Sequence, residues 1–230
     1  MYNKESKPKK FRNFYGRLKG KGLRALQQKL LNDQLEKLSI PAVKYEINPD
    51  RKLIELSDLF KNVTSFSLEI GFGGGEHLVY QAERNPNIGF IGCEPYINGV
   101  AMLAGKLSKT ELTNVRIHPG DVRDLFDVLP DDSIDSVYLL YPDPWPKKRH
   151  HRRRFVTSEY LIDLQRVMKT GALLKLATDI PDYVRQSLQE VCKHNFSWTA
   201  TDAQDWRECW GDWIPTRYER KALREGRRPY

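Results

Sequence analysis

Cysteine is scarce in this chain of 230 residues: there are three, at positions 93, 192 and 209. They are odd in number, scattered and form no CxxC pair, which excludes a disulfide framework and a thiolate metal site. No His/Cys cluster takes their place, so no metal is expected, and a reducing cytoplasm is the expected setting. Long apolar runs are also missing; none approaches the roughly 20 residues that a membrane-spanning helix needs. The opening Met-Tyr-Asn-Lys-Glu-Ser-Lys-Pro-Lys-Lys lacks the apolar segment of a secretory signal. Acidic residues are in deficit, 30 against 38 Lys and Arg, giving a net charge of +8 and a pI near 9.3. That imbalance points to a polyanionic partner, while charge alone leaves RNA, DNA and anionic membrane open.

The most informative stretch is Tyr141-Pro-Asp-Pro-Trp-Pro-Lys-Lys-Arg-His-His-Arg-Arg-Arg154. It follows an apolar run from Ile134 to Tyr141 that reads as a buried strand. Pro142, Pro144 and Pro146 keep the next residues out of helix and sheet. The stiffened turn presents one acid, Asp143, and one large aromatic, Trp145. Behind it come eight consecutive Lys, Arg or His residues. An acid at a strand end, a flat ring and a positive patch together suggest chemistry on a nucleic-acid base. Taken alone, the basic run reads equally well as a solvated helix start.

Residues 1–22 are basic with interleaved Phe11, Phe14 and Tyr15, and hold too little apolar surface to offset ordering entropy; a mobile arm is expected. Leu23, Leu26, Leu30, Leu31, Leu35 and Leu38 then recur at helical spacing up to Pro41. From Ser65 onward strands and helices alternate. Strands are expected at 65–70, 88–93, 115–118, 134–141, 172–177 and 196–201, with an edge strand at 216–223. Helices are expected at 75–84, 98–107, 122–128, 155–169 and 182–194. Regular alternation gives an α/β fold, a mostly parallel seven-stranded sheet with helices on both faces. Ligands in such sheets sit beyond the carboxyl ends of the strands.

Strand one runs into Glu69-Ile-Gly-Phe-Gly-Gly-Gly-Glu76. Gly71 and Gly73 allow a tight turn and close approach to a ligand. A dinucleotide GxGxxG fingerprint would need glycine at 76, where Glu76 stands; an acid there and at Glu69 opposes a pyrophosphate. Carboxylates suit a ligand with ammonium and sulfonium groups and no phosphate, which describes S-adenosylmethionine. Glu94, ending strand two, can accept both ribose hydroxyl protons; Asp121, ending strand three, can accept from an adenine amino group or cap the next helix.

These residues together resemble class I S-adenosylmethionine-dependent methyltransferases, with their Rossmann-like sheet. The Pro142–His151 motif narrows the resemblance to the tRNA (guanine-N7-)-methyltransferase family in its bacterial single-chain form, from about Ser65 to the C-terminus. The resemblance implies methyl transfer to N7 of a variable-loop guanosine in tRNA. It assigns Glu69, Glu94, Asp121 and Asp143 to the cofactor and active centre. It assigns Lys147, Asp179 and the segment Thr216, Arg217, Tyr218 and Glu219 to the substrate. For Asp179, capping of the following helix is an equally simple reading. Lys148, Arg149, Arg152, Arg153 and Arg154 are the expected RNA contacts. On this view residues 1–40 form a partly disordered basic arm and helix, and residues 41–230 the methyltransferase domain, acting as monomer or homodimer.

Guanine N7 carries an in-plane lone pair and no proton, so no general base is required. Asp143, mounted between prolines, can instead hydrogen-bond guanine and steady the cationic product. Amino-methyltransferases with a D-P-P-Y-like motif are the nearest enzymatic rival. A nicotinamide-dependent oxidoreductase is disfavoured by Glu76, and a non-catalytic RNA binder by intact acids at three strand ends. Trp145 reads as a base-stacking ring or as a packed anchor of its own loop, and His77 and His118 as structural residues.

Overall fold

The computed structural model describes residues 12–230. The beginning of the expected mobile arm, residues 1–11, lies outside the described residues. After helix α1 (Ala25–Leu38) come β1 (Ser65–Ile70), α2 (Glu76–Arg84), β2 (Ile88–Cys93), α3 (Ile97–Leu107), β3 (Val115–His118), α4 (Val122–Phe126) and β4 (Ile134–Leu140). A basic 3-10 turn (Lys148–Arg153), α5 (Ser158–Val167), β5 (Met168–Ala177), α6 (Pro181–Val191) and α7 (Arg217–Arg224) follow. The strands pair in parallel in the order β3-β2-β1-β4-β5.

The central strands are largely buried on both faces because helices cover both, so they read as near-continuous apolar runs, whereas the edge strand β5 is only partly buried and exposes Thr170, Gly171 and Leu173. Phe90 packs with α1, α2 and α3, while its neighbour Ile91 packs with α4, α5 and Tyr183 of α6. That period-two split fixes the register, since a one-residue slip would exchange the two cores. The order reverses at β1, which lies between β2 and β4. A crevice therefore opens at the carboxyl ends of β1 and β4, where the glycine loop and the proline motif emerge.

Two expected strands are absent: the sheet has five strands among the described residues, not seven. Residues 196–201 form no strand. Residues 216–223, expected as an edge strand, instead supply the N-cap Thr216 and most of helix α7 (Arg217–Arg224). The cause is local: Thr216 is its N-cap, its Oγ1 accepting from the Glu219 amide at 3.1 Å, and Arg, Glu, Lys, Ala and Leu are strong helix formers. The period-two reading of Thr216 and Tyr218 on one face falls with the strand. Thr216→Ala is expected to cost about 1 kcal/mol. At roughly 2–4 °C per kcal/mol for a chain of this size, thermal unfolding should register it. An unchanged melting temperature would mean that tertiary contacts alone hold α7.

Candidate functional site

The glycine loop is shaped by backbone conformation and by contact with α3. Gly73 sits at φ +56°, a region that side chains rarely adopt. At Gly99 in α3 a Cβ would come 2.2 Å from the Gly73 carbonyl oxygen, so only glycine lets that helix approach. Across this contact Glu94 locks the loop: its carboxylate accepts from the Gly73 amide at 2.7 Å and the Tyr96 amide at 2.9 Å. Burial raises the Glu94 carboxyl above its ordinary range against those two hydrogen bonds, and the Asp143 charge adds to the rise. Asp143 and Glu94 thus face one another electrostatically across the crevice.

Glu69 is buried and its Oε2 lies 2.8 Å from His77 Nδ1. The same narrow cleft is lined by Gly71, Glu76, Leu140, Thr216 and Tyr218. Burial pushes Glu76 up, but its own backbone amide and Lys106, 3.1 Å away, outweigh that and bring it below its ordinary value. Lys106 therefore partly neutralises the acid that argued against a pyrophosphate, leaving Glu69 to carry that objection. Asp121 caps α4 through the Arg123 amide at 2.9 Å and is held by the Arg123 guanidinium. Its capping role, foreseen as an alternative, is realised.

The proline motif is a strained platform. Tyr141 and Trp145, each preceding a proline, occupy the left-handed region at φ +51° and +41°. Arg154 is what holds them. Its side chain is 1% exposed, with Nε donating to the Pro144 carbonyl at 2.8 Å and the other nitrogens to Gln186 and Asp182. This corrects the expectation for Arg154: it belongs to the interior, because the turn consumes its last basic residue as an anchor. Lys147, Lys148, Arg149 and Arg152 are exposed, as expected of a surface that meets phosphates. Arg153 lies between two rings, 4.6 Å from Tyr15 and 5.0 Å from Trp145. Trp145 therefore serves as the packed anchor of the basic turn. Asp143 projects from this platform without a hydrogen bond or ion pair among the described residues. The surrounding loop partly desolvates it and raises its carboxyl above the usual range.

Arg217 lies over the glycine loop, its Nη2 3.2 Å from where a Gly73 Cβ would stand. It contacts Met102 and Tyr218, and its buried Nε has no partner among the described residues. Glu219 is buried and binds Trp213 Nε1 at 2.9 Å; burial raises its carboxyl despite that bond. Asp179 does not cap α6, whose N-cap is Ile180; it is bound by Arg227.

Residues 12–22 were expected to be mobile and are instead seated. Arg12 pairs with Asp127 at 2.8 Å and Asp124 at 3.2 Å, and the Asn13 carbonyl accepts from Arg123. The Leu18 carbonyl accepts from the Ile97 amide, and Asn98 binds Gly20 and Lys21. Polar side chains already ordered by the sheet supply what the arm's apolar content does not. A cavity of about 440 Å³ lies beneath it, lined by Tyr15, Arg123, Arg152, Arg153 and Tyr160 among others. His77, read from sequence as structural, lines the same cleft as Glu69.

Residues 64–230 match a family model described as "Putative methyltransferase". A tRNA (guanine-N(7)-)-methyltransferase of Roseobacter denitrificans is 60% identical over 228 residues, 99% of this chain and 97% of that protein. The protein of the same name from Ruegeria pomeroyi is 61% identical over 219 residues, covering 95% and 92%. That of Agrobacterium fabrum is 47% identical over 217 residues, covering 93% and 90%. With its parallel sheet, its acids at the carboxyl ends of β1, β2 and β4, and relatives matched almost end to end, the chain belongs to the tRNA (guanine-N7-)-methyltransferase family.

Proposed function

We propose that this chain transfers a methyl group from S-adenosylmethionine to N7 of a guanosine in tRNA, the variable-loop guanosine being the target. The observation that carries the reading is Asp143, an acid without an ion-pair partner among the described residues, on a strained loop at the switch point of the sheet and sharing the crevice with Glu94. The residues around that crevice fit the cofactor. Glu69 suits its ammonium, Glu94 its ribose, and Arg217, whose buried Nε has no partner among the described residues, suits its carboxylate, a role nearer the cofactor than the substrate contact expected from sequence. Gly71 and Gly73 let backbone approach, and Asp121 holds the third wall through Arg123. When bound, S-adenosylmethionine supplies an electrophilic methyl on sulfur. The chain's own contribution is to hold the guanine in line and to set negative potential where positive charge appears on the purine.

Lys147, Asp179, Thr216, Tyr218 and Glu219 are assigned to the tRNA; of these, Thr216 and Tyr218 line the cleft beside Glu69. Residues 41–230 act as the catalytic domain, and residues 1–40 as an attachment whose described part packs back upon it. No helix among the described residues is long and apolar enough to cross a membrane, and a cytoplasmic location follows from the substrate.

The direct test is incubation of unmodified tRNA transcript with radiolabelled S-adenosylmethionine, followed by nucleoside analysis. Label in 7-methylguanosine is expected; label in an N2- or N6-methylated nucleoside would move the chemistry to an amino group. Replacing Arg149, Arg152 and Arg153 by alanine should flatten the salt dependence of tRNA binding. Each lost phosphate contact is worth roughly 0.7–0.9 in the log–log slope, so a fall of about 2–3 is expected. An unchanged slope would remove the basic turn from the interface.

A further inference from the structure

A buried hydrogen-bond relay runs from the tryptophan-rich loop of residues 206–213 to the acid of β1. Glu69, His77 and Gln81 are all nearly inaccessible, at 4%, 2% and 1% exposure. His77 opens α2 and Gln81 follows one helical turn later, so the two side chains share a face. Gln81 Nε2 donates to the carbonyl of Asp212 at 2.9 Å and lies 3.4 Å from His77 Nε2. The Asp212 carbonyl can only accept, which fixes the orientation of the Gln81 amide. An amide nitrogen can only donate, so His77 Nε2 carries the lone pair. The ring proton is then on Nδ1, 2.8 Å from Glu69 Oε2. Tyr138 meets the imidazole edge-on at 4.6 Å and Trp213 lies at 5.9 Å, closing the ring in.

We infer that His77 is a positioning residue for the cofactor. As the neutral Nδ1–H tautomer it holds one oxygen of Glu69 and leaves the other for the cofactor's ammonium group. Gln81 and Asp212 tie that orientation to the seating of the Trp210–Trp213 loop, which Glu219 anchors through Trp213 Nε1. The inference rests on the assignment of Glu69 to the cofactor. It also explains why a histidine is buried beside a carboxylate without serving as a base: a base has no task at guanine N7.

Two measurements on the full chain test it. Calorimetric titration with S-adenosylhomocysteine should give at least a tenfold weaker Kd for His77→Leu. Recovery to within about threefold of the parent is expected for His77→Asn, whose amide can donate from near the Nδ1 position. Neither variant should move tRNA affinity. Glu69→Gln is the control. If it leaves cofactor binding intact, the cofactor assignment of Glu69 is wrong; if it weakens binding while His77→Leu does not, the relay alone is overturned. An asparagine variant as weak as the leucine variant overturns the donor role. Long-range proton–nitrogen NMR of the unmodified chain provides a readout that does not depend on cofactor affinity. His77 should give a pyrrole-type Nδ1 and a pyridine-type Nε2, assigned by loss of both signals in His77→Asn. The opposite tautomer, or two pyrrole-type nitrogens, refutes the relay.

Discussion

Asp143→Ala is expected to lower the rate of methyl transfer by at least ~100-fold while tRNA affinity stays within a few-fold. The magnitude is that of removing one preorganised electrostatic contact from a transition state. The geometry separates the two effects. Asp143 projects from a loop pinned by Arg154 at Pro144 and has no structural partner among the described residues to lose. The phosphate-facing cations stand farther along, on the 3-10 turn. Single-turnover kinetics beside filter binding would check this, and an equal loss of binding and activity would refute the division of labour. Asp143→Asn sharpens the test, because it keeps hydrogen-bonding capacity and removes the charge. The pH dependence has a definite sign. Desolvation raises the Asp143 carboxyl above its ordinary value, so the ionised form is lost as pH falls through that raised value. Activity should decline on the acid side earlier than an unperturbed aspartate would allow. A raised pKa in the folded state also makes this ionised acid a small cost to stability at neutral pH, relieved on acidification.

The parallel part of the fold was legible because its signals are local and repeated. Apolar runs ended by glycine or proline placed β1 to β4 within a residue of their observed limits, and the acids fell at their carboxyl ends. Where reading failed, a local feature competed with a weaker pattern. After Pro215 the alternation of Thr and Tyr predicts an edge strand, although Thr216 three residues before Glu219 is an N-cap signature. Its glutamate does not close a capping box but turns to Trp213, a partner no local rule discloses. The arm was judged on apolar content, whereas Arg12, Asn13, Leu18 and Gly20 are held by charge and hydrogen bonds to residues some 80–115 positions away. His77 was concealed for the same reason: a histidine opening a helix has no meaning until the adjacent strand brings Glu69 beside it.

Arg154 is the sharpest case, since eight consecutive basic residues gave no sign that the last points inward. Arg154→Met should destabilise the chain by about 2–4 kcal/mol. The loss comes from the hydrogen bonds to Pro144, Gln186 and Asp182 and from the contact with Tyr183, 5.1 Å from the guanidinium. Methionine keeps much of the volume, so the cost is mainly the unpaired Pro144 carbonyl and the released loop. At roughly 2–4 °C per kcal/mol, the melting temperature should fall by about 4–16 °C. Arg152→Ala, at an exposed position two residues earlier, should leave the melting temperature unchanged and weaken tRNA binding. The partner's titration adds a second signature. The hydrogen bond from Arg154 holds Asp182 below its ordinary value, so the pair's contribution is present above the usual carboxylate range and lost as pH falls through the depressed value. The parent chain should lose part of its advantage over Arg154→Met in acid. Because Arg154 also fixes the peptide that carries Asp143, the variant should lower kcat below the unfolding range with little change in the salt slope of tRNA binding. A variant of unchanged stability with a shallower salt slope would instead return Arg154 to the RNA-facing set.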